Sequence, residues 1–310
     1  MVESIVWLVL GLTVLVFSGD FLVKGAVGIA EKFNISPLVI GMTVVSFGTS
    51  APELFVSVKA AVSGSPEIAI GNVVGSNIAN IALVLGITVL IFPIVVDRNS
   101  KIIDWPMMMF STLLFYLFAM DNIIQWWEGV ILVALIIAFV TYIVRKSIKS
   151  PSDEEEVEAP KKEWLTYVFL LGGLVGLKFG ADWLLDGAVG LAEQAGMSKE
   201  MIGVTIVAFG TSVPELVASG VAAFRQQTDI SIGNLIGSNI FNIMVVIGVT
   251  SIIKEVAVTD TILANDMLWM IGIAIILLPM MLIGKKMGRP QGMLLFLGYA
   301  AYIGLAIASV

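Results

Sequence analysis

Two stretches of this chain, offset by 162 residues, are nearly the same sentence written twice. Gly41 to Ile91 reads GMTVVSFGTSAPELFVSVKAAVSGSPEIAIGNVVGSNIANIALVLGITVLI, and Gly203 to Ile253 aligns with it without a gap, identical at 27 of 51 positions. Weaker likeness reaches back to Phe17 and Phe179, setting Asp20 opposite Asp182. A duplicated chain must fold as two similar halves. Each copy also puts a glutamate, Glu53 or Glu215, in the middle of an apolar run.

The runs are long enough to cross a bilayer. Hydrophobic residues make up 58% of the 310 and charged ones 13%, and a spanning helix needs about 20 mostly apolar residues. Ten candidates follow, roughly 4–23, 38–62, 68–92, 103–120, 126–144, 164–185, 200–224, 230–253, 265–284 and 291–309. The expected fold is an all-α membrane protein of ten transmembrane helices. A first five-helix repeat covers 1–146, a cytoplasmic linker 147–163 and a second repeat 164–310, together one transmembrane domain. The first helix lacks a basic start and a cleavage site, so it reads as a retained span and not as a signal peptide.

Orientation follows from the basic residues. With an external N-terminus, thirteen Lys and Arg fall in cytoplasmic loops, and only Lys199 and Lys254 fall outside. Both termini are therefore expected to be external. Five is an odd number, so the second repeat enters from the opposite side. Inverted repeats of this kind place a substrate site where they meet, near the bilayer midplane, and serve alternating access. The acidic run Asp153–Glu158 reads as a solvated linker. With no cysteine there is no disulfide framework.

An ionised carboxylate at the centre of a span costs roughly 2.5–3.5 kcal/mol on insertion scales. The chain carries two, at matched positions. The intramembrane bases are Lys59 and Lys178, and neither recurs in the other half. Ser46, Ser50, Glu53 and Ser57 are spaced as one polar stripe; Ser212, Glu215 and Ser219 repeat it, with Ala208 in the place of Ser46. Pro52 and Pro214 remove a backbone donor and should break each helix, freeing carbonyl oxygens around Thr49 and Thr211. Irregular backbone at membrane depth is tolerated where it lines a polar cavity. The facing motifs, GNVVGSNIAN and GNLIGSNIFN, add Asn72, Ser76 and Asn80, matched by Asn234, Ser238 and Asn242. Their glycine pairs, Gly71/Gly75 and Gly233/Gly237, suit close helix packing. Carboxylate, hydroxyl and carbonyl oxygens suit hard cations such as Ca2+ and Na+. Two carboxylates balance one Ca2+ or two Na+.

The paired GTSAPEL and GTSVPEL, each followed by GNxxGSNIxN, resemble the alpha-repeats of the cation/calcium antiporter superfamily, in its prokaryotic sodium/calcium exchanger branch. The resemblance implies Ca2+ and Na+ competing at a midplane cluster in a prokaryotic plasma membrane. By position, it assigns Ca2+ to Glu53, Glu215 and the backbone oxygens of Thr49 and Thr211. It assigns flanking Na+ sites to Ser46, Ser50, Ser76, Ala208, Ser212 and Ser238, with the hydroxyls of Thr49 and Thr211. It sets Asn80 and Asn242 at the centre, where part of the family has Asp in place of Asn242. The expected partners are Ca2+, Na+ and the lipid bilayer, with no organic cofactor and no nucleic acid, and one chain is expected to suffice as a monomer. A proton-coupled antiporter of Ca2+ or another divalent cation in the same fold, and a passive cation channel, are the alternatives. An intramembrane enzyme is disfavoured, since the chain has no His and no Cys. Asp20 and Asp182 are expected to serve interfacial capping or packing, with ion entry as the alternative.

Overall fold

The structure is a computed structural model and describes residues 2–147, 160, 162–197, 210–284 and 286–308. In chain order its helices are α1 (Val2–Phe33), α2 (Pro37–Thr49), α3 (Ala51–Val62), α4 (Pro66–Ile91), α5 (Ser100–Ala119) and α6 (Trp126–Ser147). There follow α7 (Glu163–Gln194), α8 (Val213–Phe224), α9 (Thr228–Ile253), α10 (Ile262–Leu282) and α11 (Arg289–Ala308). Among the described residues seven helices are long and apolar enough to cross a membrane, or eight if α2 and α3 count as one bent span. Helices dominate for a physical reason: lipid offers no partner to a backbone N–H or C=O, so each segment must satisfy its own. The span expected at 200–224 is described only from its second part, as α8, and most of the linker lies outside the described residues.

α4 and α9 form the centre. In each, 78% of the most apolar stretch is buried, against 28–33% for the other spans. Their inward faces meet α5, α6 and α10 in one continuous core that includes Val73, Leu85, Phe115, Leu235, Ile247 and Leu277. A second cluster sits between α1 and α7, with Leu15, Leu22, Leu170 and Leu177 packed against α2 and α8.

The α1–α7 contact depends on small residues. Gly11, Ser18 and Gly25 recur every seven residues on α1, as do Gly173, Gly180 and Gly187 on α7. A Cβ on Gly25 would lie 2.7 Å from Leu170 Cα, and one on Gly173 would lie 2.6 Å from the Leu22 nitrogen. Backbones this close need glycine, the usual device for joining helices in lipid. Both helices have 32 residues, about 48 Å at 1.5 Å per residue, so they outrun the apolar segments 4–23 and 164–185. The apolar run marks only the part inside hydrocarbon; beyond it the helix continues through polar residues.

Four two-residue strands tie the loops together: β1 (Ile94–Val95), β2 (Ile123–Ile124), β3 (Val256–Ala257) and β4 (Lys286–Met287). β1 pairs antiparallel with β4, Ile94 opposite Met287, and β2 with β3, Ile124 opposite Val256. Each ladder joins a loop of one half to a loop of the other.

Candidate ion-binding site

The helix break expected at Pro52 falls between Thr49 and Ala51, where α2 and α3 meet at a 42° bend. Pro52 sits in the first turn of α3 and has no N–H to give the Gly48 carbonyl. Ser50, between the helices, has φ −86°, ψ 0°. Ser212, just before α8 and its Pro214, has φ −91°, ψ 2°. The residue just ahead of each Pro-bearing helix start takes nearly the same backbone angles in both halves.

Each break points a carboxylate inward. Glu53 and Glu215 are 3% and 1% exposed, each in the first turn of its helix, where the helix dipole favours negative charge. They lie near enough for their charges to repel, and Thr49 stands beside Glu215. Around them is a set of buried polar atoms without hydrogen-bond partners. It comprises Glu53 Oε2, both Glu215 oxygens, the Ser50 and Ser212 hydroxyls, both amide atoms of Asn80 and Asn242 Oδ1. An unsatisfied buried polar group costs about 1–3 kcal/mol. Folding tolerates the cost at eight atoms of six residues, in three pairs of matched positions, which marks this set as built for something other than stability.

The asparagines are placed by a device not expected from sequence. Asn80 lies in a widened π-turn, Ala79–Leu85 of α4, and Asn242 opens another, Asn242–Ile247 of α9. Such bulges are frequent at functional sites. Asn242 Nδ2 donates to Asn77 Oδ1 at 3.1 Å, which leaves its own Oδ1 unpartnered. Asn77 Nδ2 in turn donates to the Asn239 carbonyl at 3.2 Å, across the two halves. Sequence reasoning passed over Asn77 and Asn239; their identity in both GSNI motifs was the available signal.

The remaining candidates divide. The Thr49 hydroxyl meets Asn234 Oδ1 at 3.2 Å and Ser238 Oγ at 3.4 Å. The Ser46 hydroxyl, fully buried, donates to the Gly41 carbonyl at 2.8 Å and lies 3.0 Å from the Asn234 carbonyl. Ser76 is buried on α4, Thr211 lies in the turn ahead of α8, and Ala208 lies outside the described residues. Asn72 and Asn234 depart from the expected ligand stripe. Their amides staple helix to helix, Asn72 to Ser57 at 3.0 Å and Asn234 to Ser219 at 2.9 Å. Gly233 packs on α2, where a Cβ would lie 2.6 Å from the Leu38 carbonyl oxygen, and Gly237 packs against Met42 one turn on.

Asp20 pairs with Lys24 at 2.8 Å and with Arg225. Asp182 pairs with Lys178 one turn away on the same helix. A cavity of about 1050 Å³, lined largely by apolar side chains of α2, α3 and α7, runs from Lys178 and Asp182 to Glu53, Thr211 and Pro214. It gives Glu53 a way out of the core.

The family model described as sodium/calcium exchanger protein matches residues 3–145 and 165–308, nearly the whole chain. The chain belongs to the sodium/calcium exchanger protein family. It is 37% identical to the uncharacterized membrane protein MJ0091 of Methanocaldococcus jannaschii over 98% of this chain and 97% of that one. It is 32% identical to the sodium/calcium exchanger MaX1 of Methanosarcina acetivorans, with 96% of each covered. Among solved structures, the sodium-calcium exchanger NCX_Mj soaked with zero Na+ and Ca2+ superposes with a TM-score of 0.84 at 34% identity, covering 99% of both chains. The same protein soaked with 10 mM Na+ and 10 mM Sr2+ gives 0.83. The chain thus shares the helical membrane fold of that structure over nearly its whole length.

Proposed function

We propose that this protein is a secondary antiporter that moves Ca2+ against Na+ by alternating access at one midplane site. One observation carries the reading. Two buried carboxylates, one from each half, stand among repeat-matched hydroxyl and amide oxygens that have no protein partner. Oxygen-only ligands suit hard cations, and a charge of −2 is balanced equally by one Ca2+ or two Na+. Occupation by one ion then excludes the other without any long-range coupling. Ca2+ would be held by Glu53, Glu215 and the backbone oxygens of Thr49 and Thr211. Na+ would flank it at Ser46, Ser50, Ser76, Ala208, Ser212 and Ser238 with the hydroxyls of Thr49 and Thr211, and Asn80 and Asn242 would form the central pair.

The matched backbone angles at Ser50 and Ser212, each just ahead of a proline, together with the sequence repeat, support two five-helix halves, inverted in a ten-helix whole. The Lys/Arg bias supports a plasma-membrane protein with both termini outside. Because each half supplies one carboxylate, a single chain completes the site and works as a monomer. The test is ⁴⁵Ca2+ uptake into liposomes holding purified protein, driven by an outward Na+ gradient at fixed pH. Uptake that requires the Na+ gradient is expected. Uptake that ignores Na+ and follows ΔpH overturns Na+ coupling, and flux with no counter-ion requirement overturns antiport.

A further inference from the structure

We propose a second cation site, separate from the midplane one, in which Asp104 and Asp97 hold a hydrated divalent ion of the Mg2+ kind. The two halves differ here in a telling way. Asp104 and Asp266 close matched π-turns, Ser100–Asp104 and Ile262–Asp266, at the starts of α5 and α10. Asp266 accepts a hydrogen bond from the Tyr302 hydroxyl at 3.0 Å. Gly292 packs on Gly86 as Gly129 packs on Gly248, which sets Tyr302 opposite Phe139, a ring with no hydroxyl. Asp104 has therefore lost the partner that its counterpart keeps. It is 2% exposed, and its Oδ2 is buried with no hydrogen-bond partner.

Asp104 instead borders a cavity of about 150 Å³ shared with Asp97, Asn99, Lys146, Ser147 and Asp229. Asp97 and Asp104 share that cavity with a single lysine. Among the described residues neither Asp97 nor Asp104 forms an ion pair, and the Lys146 ammonium lies 5.9 Å over the Tyr142 ring. Asp97 Oδ1 accepts the backbone N–H of Asn99 at 2.6 Å, which fixes its carboxylate at the rim. The pocket is net negative and has room for several waters.

Spacing selects the ligand. Among the described residues no three acidic side chains stand close enough to grip one ion directly. A bare, many-coordinate Ca2+ is poorly served by that arrangement. Mg2+ keeps several of its waters and binds through one or two carboxylates, which is what a wet pocket with dispersed acids provides. Loops on this end of the molecule fall on the side that the Lys/Arg bias assigns to the cytoplasm.

The experiment uses the full chain in lipid nanodiscs carrying Glu53→Gln and Glu215→Gln, so that the midplane carboxylates are neutral. Mg2+ is titrated calorimetrically in KCl buffer. One saturable site is expected, weakened about 10- to 100-fold by adding Asp104→Asn, the range for losing a partner that holds a metal through its shell. Should Asp104→Asn fail to fold, Asp97→Asn, on the loop, decides the matter and is expected to weaken Mg2+ in the same direction. Absence of saturable Mg2+ binding, or an affinity indifferent to these substitutions, overturns the proposal. Tight Ca2+ binding that survives Glu53→Gln and Glu215→Gln but is lost on adding Asp104→Asn overturns the choice of Mg2+ over Ca2+ at this site.

Discussion

Glu215→Gln is expected to stabilise the cation-free protein and to abolish the stability that Ca2+ confers. Glu215 is 1% exposed and neither of its oxygens has a hydrogen-bond partner. Glutamine has the same shape and leaves the site as poorly partnered, so the difference between the two proteins reports charge alone. An ionised carboxylate at this depth costs roughly 2.5–3.5 kcal/mol, and the nearby Glu53 adds repulsion. At the roughly 2–4 °C per kcal/mol of chains of about 150–250 residues, removing that cost raises Tm by about 5–14 °C. Saturating Ca2+ at a hundredfold excess over Kd would lift the native protein by about 2.7 kcal/mol. Native protein with Ca2+ should therefore melt near the variant without it. Seven tryptophans allow melting to be followed by intrinsic fluorescence, which suits a chain without cysteine for thiol-reactive dyes. Melts are run in chelator and choline buffer, then with Ca2+. A variant that melts lower than native protein in chelator, and still gains from Ca2+, would refute the reasoning. Glu53→Gln should behave alike with a smaller gain, because Glu53 borders the open cavity.

Asn242→Asp replaces the Nδ2 donor to Asn77 Oδ1 with an oxygen, so the ionised side chain loses a hydrogen bond worth about 1 kcal/mol and adds a third charge. Transport should acquire a pH-sensitive step, and an unchanged pH profile in flux assays counts against a central place for Asn242. Ser50→Ala and Ser212→Ala remove hydroxyls assigned to Na+, so each should raise the Na+ concentration needed to drive exchange more than the Ca2+ KM. Equal effects on both ions would argue against that division. Gly173→Ala should destabilise the α1–α7 pair by about 1–3 kcal/mol, since the new methyl meets the Leu22 backbone. Gly172→Ala, next in sequence, meets nothing within 4 Å and should leave the melting temperature unchanged.

What could be read in the sequence was whatever local chemistry dictates. Pro52 announced the break between α2 and α3 because a missing N–H acts at its own position; residues 198–209, ahead of Pro214, lie outside the described residues. The carboxylates announced themselves because buried charge is costly wherever it occurs. Asn72 and Asn234 shared the spacing of Asn80 and Asn242, yet only a neighbouring helix decides whether an amide finds a serine hydroxyl or is left with an unpartnered oxygen. The π-turns at Asn80 and Asn242 carry no residue signature, since a one-residue widening is set by packing across helices. Asp104 was equally silent: its isolation depends on Phe139 standing where the other half has a tyrosine. Ends of α1 and α7 escaped because hydropathy marks the membrane boundary, not the helix boundary.

Asn77 and Asn239 hold the same rank in their repeats, and one reaches for the other. The two copies thus meet at equivalent residues, and the mismatches of Ser46 with Ala208 and of Phe139 with Tyr302 mark where the copies no longer match.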